Sequence, residues 1–347
     1  MKPQRRTLIP IAALFALTTA ARVGALEYQV GEVDAELLLA AAAQGATFRD
    51  GPDGKNESDT NLLGLARLNL EWISDTGRVY GVRAEMDEGI RRSEELAADE
   101  LYVYFASELG RIELGRQDGA ADVMSFHAPI MALGQVRGDF AQYAGFVASL
   151  SPTDTRDSPK LVYLSAPIHG LRFGASYAPE FTVNETALDP QRRIIQKDAI
   201  EVAAQYLAPL GNDWSLGASV AHVRGSADPQ TERRDLSSWG VGLELRREEL
   251  IIGAAIVDNG DSNDLTRVQE QEWNVGIAWR AERWGTALSF ARNESIPVDL
   301  SLFGIGGFYS ITDHIVLRAD AVHVDEHRRT GDSGGYQVLV FEVGVEL

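Results

Sequence analysis

The sequence predicts a single all-β domain, a sixteen-stranded antiparallel β-barrel that spans a membrane. Apolar and polar residues alternate with a period of two along most of the chain. Short and long connections between the alternating segments follow one another in turn, and aromatic residues gather where the segments end. Together these three features favour a membrane barrel over a soluble sandwich or propeller.

The alternation is clearest in segments such as WSLGASV at 214–220 and EWNVGIAW at 272–279. Successive side chains of a strand point to opposite faces, so each segment has one apolar face and one face of Gly, Ala, Ser, Asn and charged residues. In a membrane barrel the apolar face contacts lipid and the interior is wet. The predicted strands lie near 30–43, 61–72, 79–87, 100–106, 111–117, 160–166, 171–179, 199–206, 213–223, 238–245, 250–257, 272–279, 284–291, 301–309, 314–324 and 337–347.

Connection lengths indicate which ends of the strands lie together. Short connections fall at 73–78, 107–110, 167–170, 207–212, 246–249, 280–283 and 310–313, and a long one separates each short one from the next. Bacterial barrels have short periplasmic turns and long outer loops, which produces this order. Trp72, Trp279 and Trp284 lie beside short turns, whereas Trp239 and Trp273 lie towards long loops, as two interfacial aromatic girdles require.

Composition and charge exclude several classes of function. The chain has 347 residues, with 32 Lys and Arg against 51 Asp and Glu, a formal net charge of −19 and no cysteine. Disulfide scaffolds, cysteine-ligated metals and thiol nucleophiles are therefore excluded. So acidic a chain repels nucleic acid, and we expect no nucleic-acid partner.

Residues 1–25 have the layout of a secretory signal peptide, and residues 26–347 form the predicted barrel domain. Lys2, Arg5 and Arg6 precede an apolar run from 8 to 21, with Val23 and Ala25 before the expected cleavage site. The run is too short for a spanning helix, which needs about 20 apolar residues. The sequence therefore predicts export to the bacterial outer membrane, with lipid and lipopolysaccharide as surroundings.

The longest connection, 118–159, is too apolar to extend freely into water. It contains Phe126, Phe140, Tyr143 and Phe146. Connections much longer than about 15 residues are usually functional or disordered. Because sixteen strands leave an aqueous lumen, we expect this loop to fold against the inner wall of the barrel.

The segment GRIELGRQDG at 110–119, followed by this loop, resembles the fifth strand and constriction loop of the general bacterial porins. The segment KLVYLSAPIHGLRFGASYAP at 160–179 is similar to the next hairpin of that family. The resemblance implies a homotrimer of sixteen-stranded barrels that passes small hydrophilic solutes and is narrowed by its third loop. Leu347 departs from the family, which usually ends in Phe as part of an assembly signal.

The family pattern opposes acidic residues of the third loop to arginines on the facing wall. The resemblance implies loop acids at Asp118, Asp122 and Asp139. It implies wall arginines at Arg67, Arg83 and Arg116, where Arg116 lines the pore only if its strand bends near Gly115. Such opposed charges set selectivity in channels. The alternative for each arginine is a solvated lumen residue with no special role.

The seam between the first and last strands predicts a negative lumen wall. Glu32, Asp34 and Glu36 lie on the polar phase of the first strand, and Glu342 lies on that of the last. We therefore expect a preference for cations. The alternative is that acidic residues only keep the surface soluble or bind divalent cations between lipopolysaccharides.

Other sites and functions have less support in the sequence. Asp258, Asp261 and Asp264 are a calcium candidate at an outer loop, but their spacing misses the EF-hand pattern. We otherwise expect no cofactor and no enzymatic activity. The alternatives to a general channel are a substrate-specific channel for sugars or dicarboxylates, a non-conducting structural barrel and an outer-membrane hydrolase, for which no nucleophile elbow is present.

Overall fold

The structure is a computed structural model that describes residues 26–30, 32–49, 57–89, 97–129, 151–182, 194–229, 234–262, 269–295, 298–328 and 333–347. The predicted signal peptide and the predicted loop acid Asp139 lie outside these residues.

The described residues form seventeen strands and one short helix, α1 (Ala120–Val123). No helix in this part of the chain is long and apolar enough to cross a membrane. The strands are β1 (Leu26–Val30), β2 (Val33–Arg49), β3 (Glu57–Ile73), β4 (Val79–Gly89), β5 (Ala97–Ser107), β6 (Gly110–Arg116), β7 (Pro159–Ser165), β8 (Leu171–Thr182), β9 (Ile194–Gly211), β10 (Trp214–Ala227), β11 (Leu236–Arg247), β12 (Leu250–Gly260), β13 (Glu270–Arg280), β14 (Trp284–Ser295), β15 (Val298–Ser310), β16 (Ile315–Arg328) and β17 (Ser333–Glu346).

Strands β2 to β17 form a closed antiparallel barrel, which confirms the predicted sixteen strands. Each strand pairs with the next in sequence, and β17 pairs with β2 to close the barrel. Several strands are longer than predicted at the end that carries the long connections. Strand β3 begins at Glu57 and β9 at Ile194, because backbone pairing continues beyond the apolar alternation.

Strand β1 was not expected as a separate element. It pairs with the first part of β2, from Leu26 opposite Leu37 to Val30 opposite Val33. Strand β3 pairs with β2 along the other edge, so β1 and β17 share one edge of β2. Leu347 exchanges backbone hydrogen bonds of 2.7 and 2.9 Å with Leu39, just beyond the residues that β1 covers.

The two faces of the barrel differ as a membrane protein requires. On β13, Ile277 on the outer face is 43% exposed, whereas Ala278 on the inner face is 2% exposed. Large apolar side chains recur on the outer face of every strand pair, and Gln44, Asn61, Glu201 and Asn274 are buried on the inner face. A closed sheet leaves no backbone edge towards lipid, so this arrangement suits a bilayer.

Tight turns join the strands at one end, which we call the short-turn end. Asn212 and Asp213 connect β9 to β10, and both have positive φ, 50° and 65°. Two such residues define a type I′ turn, whose twist matches that of a hairpin. Trp72 on the outer face at this end stacks on Tyr80 with ring centroids 5.1 Å apart, which places aromatic residues at one rim.

Candidate functional site

The connection between β6 and β7 contacts the inner face of the barrel through its two described limbs, residues 117–129 and 151–158. In the first limb, α1 and Met124 pack into a buried apolar cluster contributed by β7, β9, β10 and β11. Its members are Ala120, Ala121, Met124, Val162, Leu164, Ala203, Ala221, Val223 and Leu236. Residues 130–150 lie outside the described part, so the entry of the whole loop into the pore stays a prediction.

Wall side chains supply hydrogen bonds to the backbone of both limbs. The Phe126 amide donates to Ser219 Oγ at 2.8 Å, and the Ala128 amide donates to Asn274 Oδ1 at 2.8 Å. In the second limb, the Thr153 amide donates to Asn259 Oδ1 at 2.9 Å. These buried amides have no partner within a strand or helix, so a wall lacking these side chains would leave them unsatisfied.

A row of glycines makes room for the first limb. Gly217, Gly242, Gly253 and Gly276 lie on the inner faces of four successive strands, β10 to β13. A Cβ at Gly217 would lie 2.6 Å from the Phe126 ring, and one at Gly253 would lie 2.1 Å from the carbonyl oxygen of His127. Real Cβ atoms essentially never approach closer than 3.0 Å. We call this row the glycine track; it fixes where the limb lies.

The loop acids lie among other carboxylates. Asp122 accepts a 2.6 Å hydrogen bond from Ser151 Oγ, which joins the two limbs. Burial and the neighbouring Asp122, Asp157 and Asp154 raise the pKa of Asp118 well above its usual range. Burial, with Asp122 and Glu201 nearby, raises the pKa of Asp154 to about 7, although Lys160 opposes the shift.

Two of the predicted wall arginines share one carboxylate. Arg67 Nε lies 2.6 Å from Glu85, and Arg83 Nη2 lies 3.0 Å from the same Glu85 oxygen. Arg83 also pairs with Glu100 on β5. The charges of Arg67 and Arg83 are therefore largely balanced by glutamates of the same wall. The role of Glu85 was not predicted, because the partner of a lumen arginine depends on strand register.

Arg116 lies at the end of β6, opposite Leu101 on one side and Pro159 on the other. Leu101 belongs to the outward phase and is exposed. Gly115 has φ of +146°, and a Cβ there would overlap the backbone of Leu101. The backbone is thus unusual at Gly115, where a bend was anticipated. The strand pairing nevertheless gives Arg116 the phase of Leu101, so the place of Arg116 in the pore wall stays a prediction.

The predicted acidic seam is divided into two places. Glu32 and Glu36 lie near the short-turn end, where they accept hydrogen bonds of 3.2 Å from Trp72 Nε1 and Asn69 Nδ2, and Asp34 between them is exposed. Glu342 lies farther along the seam, opposite Gln44, and is 2% exposed.

Glu342 belongs to a buried network that crosses the closing seam. It accepts a 2.6 Å hydrogen bond from Gln44 Nε2 on β2 and a 2.7 Å hydrogen bond from Arg318 Nη1 on β16. Arg318 Nη2 also lies 2.6 Å from Glu346. The arrangement joins three strands and balances the charge of Glu342, a role that its position in the alternation did not reveal.

The calcium candidate lies only partly in the described residues. Asp258 Oδ1 accepts a hydrogen bond of 2.9 Å from the Gly260 amide, and Asp261 lies 3.5 Å from Arg234. Asp264 is outside the described part of the chain. Among described residues, no group of three His, Asp or Glu side chains is arranged to hold a metal ion.

A further group on the inner wall was also missed. Arg111 lies over the Tyr104 ring, with Cζ 3.7 Å from the centroid, and pairs with Glu113 on its own strand. The Tyr104 hydroxyl donates to Glu71 on β3. The wall from β3 to β6 is thus a continuous network of paired charges and tyrosines.

Comparison with known proteins gives one family and a consistent fold. The family model described as Gram-negative porin matches residues 12–328. No curated protein sequence matches the chain. Among solved structures, OmpF of Salmonella typhi in complex with daunomycin is similar with a TM-score of 0.68 at 13% identity, covering 93% of this chain and 100% of that one.

Two other solved structures show the same fold. The outer membrane channel DcaP of Acinetobacter baumannii has a TM-score of 0.66 at 12% identity, covering 92% of this chain and 99% of that one. The anion-selective porin from Comamonas acidovorans has a TM-score of 0.62 at 10% identity, covering 91% of this chain and 100% of that one.

Proposed function

Because the chain belongs to the Gram-negative porin family, we propose that it forms a water-filled outer-membrane channel for passive diffusion of small hydrophilic solutes and ions, with a preference for cations. The observation that carries this proposal is the closed sixteen-stranded barrel, polar inside and apolar outside. Barrels of this size enclose an aqueous lumen. Family and fold are those of channel proteins rather than enzymes.

The preference for cations rests on how the lumen charges are balanced. The arginines of the inner wall with a glutamate within 4.0 Å are Arg67, Arg83, Arg111, Arg246 and Arg318. Arg280 differs from these five because, among the described residues, it contacts no carboxylate and lies over the Phe308 ring. Meanwhile Glu32 and Glu36 accept hydrogen bonds from the neutral side chains of Trp72 and Asn69, which do not balance their charge. The surplus is therefore acidic, and an acidic lumen favours cations.

We propose that the connection between β6 and β7 sets the narrowest part of the channel. Its described limbs follow the inner faces of β8 to β13 and are held there by side chains and by the glycine track. A loop fixed to the wall reduces the open cross-section without closing it.

We also propose a homotrimer surrounded by lipid and lipopolysaccharide, with residues 1–25 removed on export. An apolar groove on the outer face, lined in part by Trp72, Tyr80, Phe105 and Leu114, is the surface that we expect a second copy to cover. Cross-linking of the purified protein in detergent should then give a trimer; a monomer at every cross-linker concentration would refute the assembly without affecting the channel.

Conductance in planar bilayers under a salt gradient tests the channel. We expect large, ohmic openings that close in three steps and a zero-current potential of the sign that cation selectivity gives. Candidate sugars and dicarboxylates should cause little block. Small conductance with saturable block by one solute class would instead favour a substrate-specific channel, and no conductance from folded protein would refute both.

A further inference from the structure

We propose that Glu201 is a positioning residue, a single wall carboxylate that holds both limbs of the β6–β7 connection and so fixes the channel's narrowest part. The effect on the channel rests on the proposed function, whereas the clamp itself does not. Neither the charge pattern nor the family resemblance identified this residue.

Glu201 lies on the inner face of β9 and is 1% exposed. Its Oε2 accepts a hydrogen bond of 3.1 Å from the Ala121 amide in the first limb. Its Oε1 accepts hydrogen bonds from Thr155 in the second limb, 3.2 Å from the amide and 2.6 Å from Oγ1. The two oxygens of one side chain are thus divided between two segments that are far apart in sequence.

The chemistry of the group explains why a carboxylate is used. An ionised carboxylate has two accepting oxygens, whereas an amide has one acceptor and one donor. A glutamine at 201 would therefore turn an NH₂ group towards one of the two limbs, where it would face the amide N–H of Ala121 or Thr155, which is also a donor. Gly119 supports the same geometry, because a Cβ at that position would overlap the Glu201 carboxylate.

A buried carboxylate needs a counter-charge, and Lys160 supplies it. The Lys160 side chain is 0% exposed, and its Nζ lies 3.9 Å from Glu201 Oε1. Lys160 also donates to the Arg156 carbonyl, so the ammonium group contacts the second limb as well. Removal of one member of such a pair leaves an uncompensated charge. The unit is therefore a carboxylate that binds both limbs and a buried lysine that supplies the opposite charge.

Hydrogen–deuterium exchange of the full-length protein in detergent tests the clamp without reference to conductance. We expect Glu201→Ala to accelerate exchange of peptides from both limbs by at least about tenfold, since each limb loses a buried hydrogen bond. Thr155→Val should accelerate the second limb alone. Glu244→Gln is the matched control, because Glu244 lies on the inner wall of β11 and pairs with Arg246. It should leave both limbs protected.

Glu201→Gln separates positioning from charge balance. Alone, it should accelerate one limb more than the other. The double variant Glu201→Gln, Lys160→Met should recover thermal stability, while hydrogen exchange stays fast in the limb that Glu201→Gln accelerates. A return of exchange to the wild-type rate would overturn the clamp. Protection of both limbs from exchange in Glu201→Ala would also overturn the clamp, and so would faster exchange in only one limb. If Glu201→Ala does not fold, Thr155→Val decides, and unchanged exchange in its second limb counts against the proposal.

Single-channel recording then connects the clamp to the channel. In variants whose limbs exchange faster, we expect the open-channel current to become noisier and its mean conductance to change, whereas Glu244→Gln keeps the wild-type noise. Wild-type protein that does not conduct would refute the proposed function and leave the exchange result standing. Faster exchange with unchanged current in conducting channels would overturn the role of Glu201 at the constriction.

Discussion

A single methyl group on the glycine track should disturb the connection more than a methyl group elsewhere on the inner wall. In Gly242→Ala the new Cβ would lie 1.8 Å from the carbonyl oxygen of Phe126 and 2.6 Å from its carbonyl carbon. Both are backbone atoms, so neither can rotate away. Real Cβ atoms essentially never approach closer than 3.0 Å, so the limb must move by at least 1.2 Å, the difference between 3.0 and 1.8 Å.

That movement has a cost that can be estimated. Overpacking of this kind typically costs about 1–3 kcal/mol. The same movement disturbs the hydrogen bond from the Phe126 amide to Ser219 Oγ, which accounts for about 1 kcal/mol of that range. Gly304 on β15 is the control, because it faces the same lumen and a Cβ there meets its nearest atom at an ordinary 3.4 Å. Gly304→Ala should change stability by less than about 0.5 kcal/mol.

Urea unfolding in detergent micelles, followed by tryptophan fluorescence, measures the difference. We expect Gly242→Ala to have the lower midpoint, and its single-channel conductance to fall because the limb moves from the rigid wall towards the axis. If the two variants share one midpoint and one conductance, the contact between the limb and the glycine track does not position the connection.

Three further results follow from the charges. Asp154→Asn should raise the urea midpoint at pH 8 but not at pH 4. The pKa of Asp154 is about 7 in the folded chain and about 4 in the unfolded chain. The wild-type protein therefore loses stability as the pH rises from about 4 to about 7, and the neutral asparagine does not. Glu85→Gln should weaken cation selectivity in a zero-current measurement, since it leaves two guanidinium groups without their shared carboxylate, whereas Glu294→Gln on the outer face should not. Arg318→Met should lower the free energy of unfolding by about 3–5 kcal/mol, because Glu342 stays buried without its partner. The temperature at which the folded band disappears on a gel should fall. An unchanged temperature would contradict the seam network.

The barrel could be predicted from the sequence because its pattern is local. Alternation at 272–279 shows which residues face outward, and Asn212 and Asp213 mark a turn by their type alone. Strand β1 was missed although Leu26, Tyr28 and Val30 alternate as the others do, because it is short and follows the predicted cleavage site directly.

The site was harder to predict because its chemistry depends on pairs of residues far apart in sequence. Glu201 occupies the polar phase of β9 beside other polar residues, and nothing near it shows that Ala121 and Thr155 meet it. The glycine track had a visible signal, since glycine recurs on the polar phase at 217, 242, 253 and 276. Its meaning required the strand register, which places Gly217 and Gly253 opposite Glu244, two residues from Gly242, and places Gly276 opposite Gly253.

The pairing of β1 and β17 along one edge of β2 brings Leu26 close to Leu347. Leu347 lies opposite Leu39 and Leu26 lies opposite Leu37, so the two are about 7 Å apart along the edge at 3.4 Å per residue. Both strands run in the same direction, and β1 continues the line that β17 leaves. A circular permutant that joins Leu347 to Leu26 by a linker of a few residues, with new termini at a turn such as 108–109, should therefore close the same barrel. Every strand of the sixteen-stranded wall pairs with a neighbour on both sides, so the closed sheet does not single out one strand as the first.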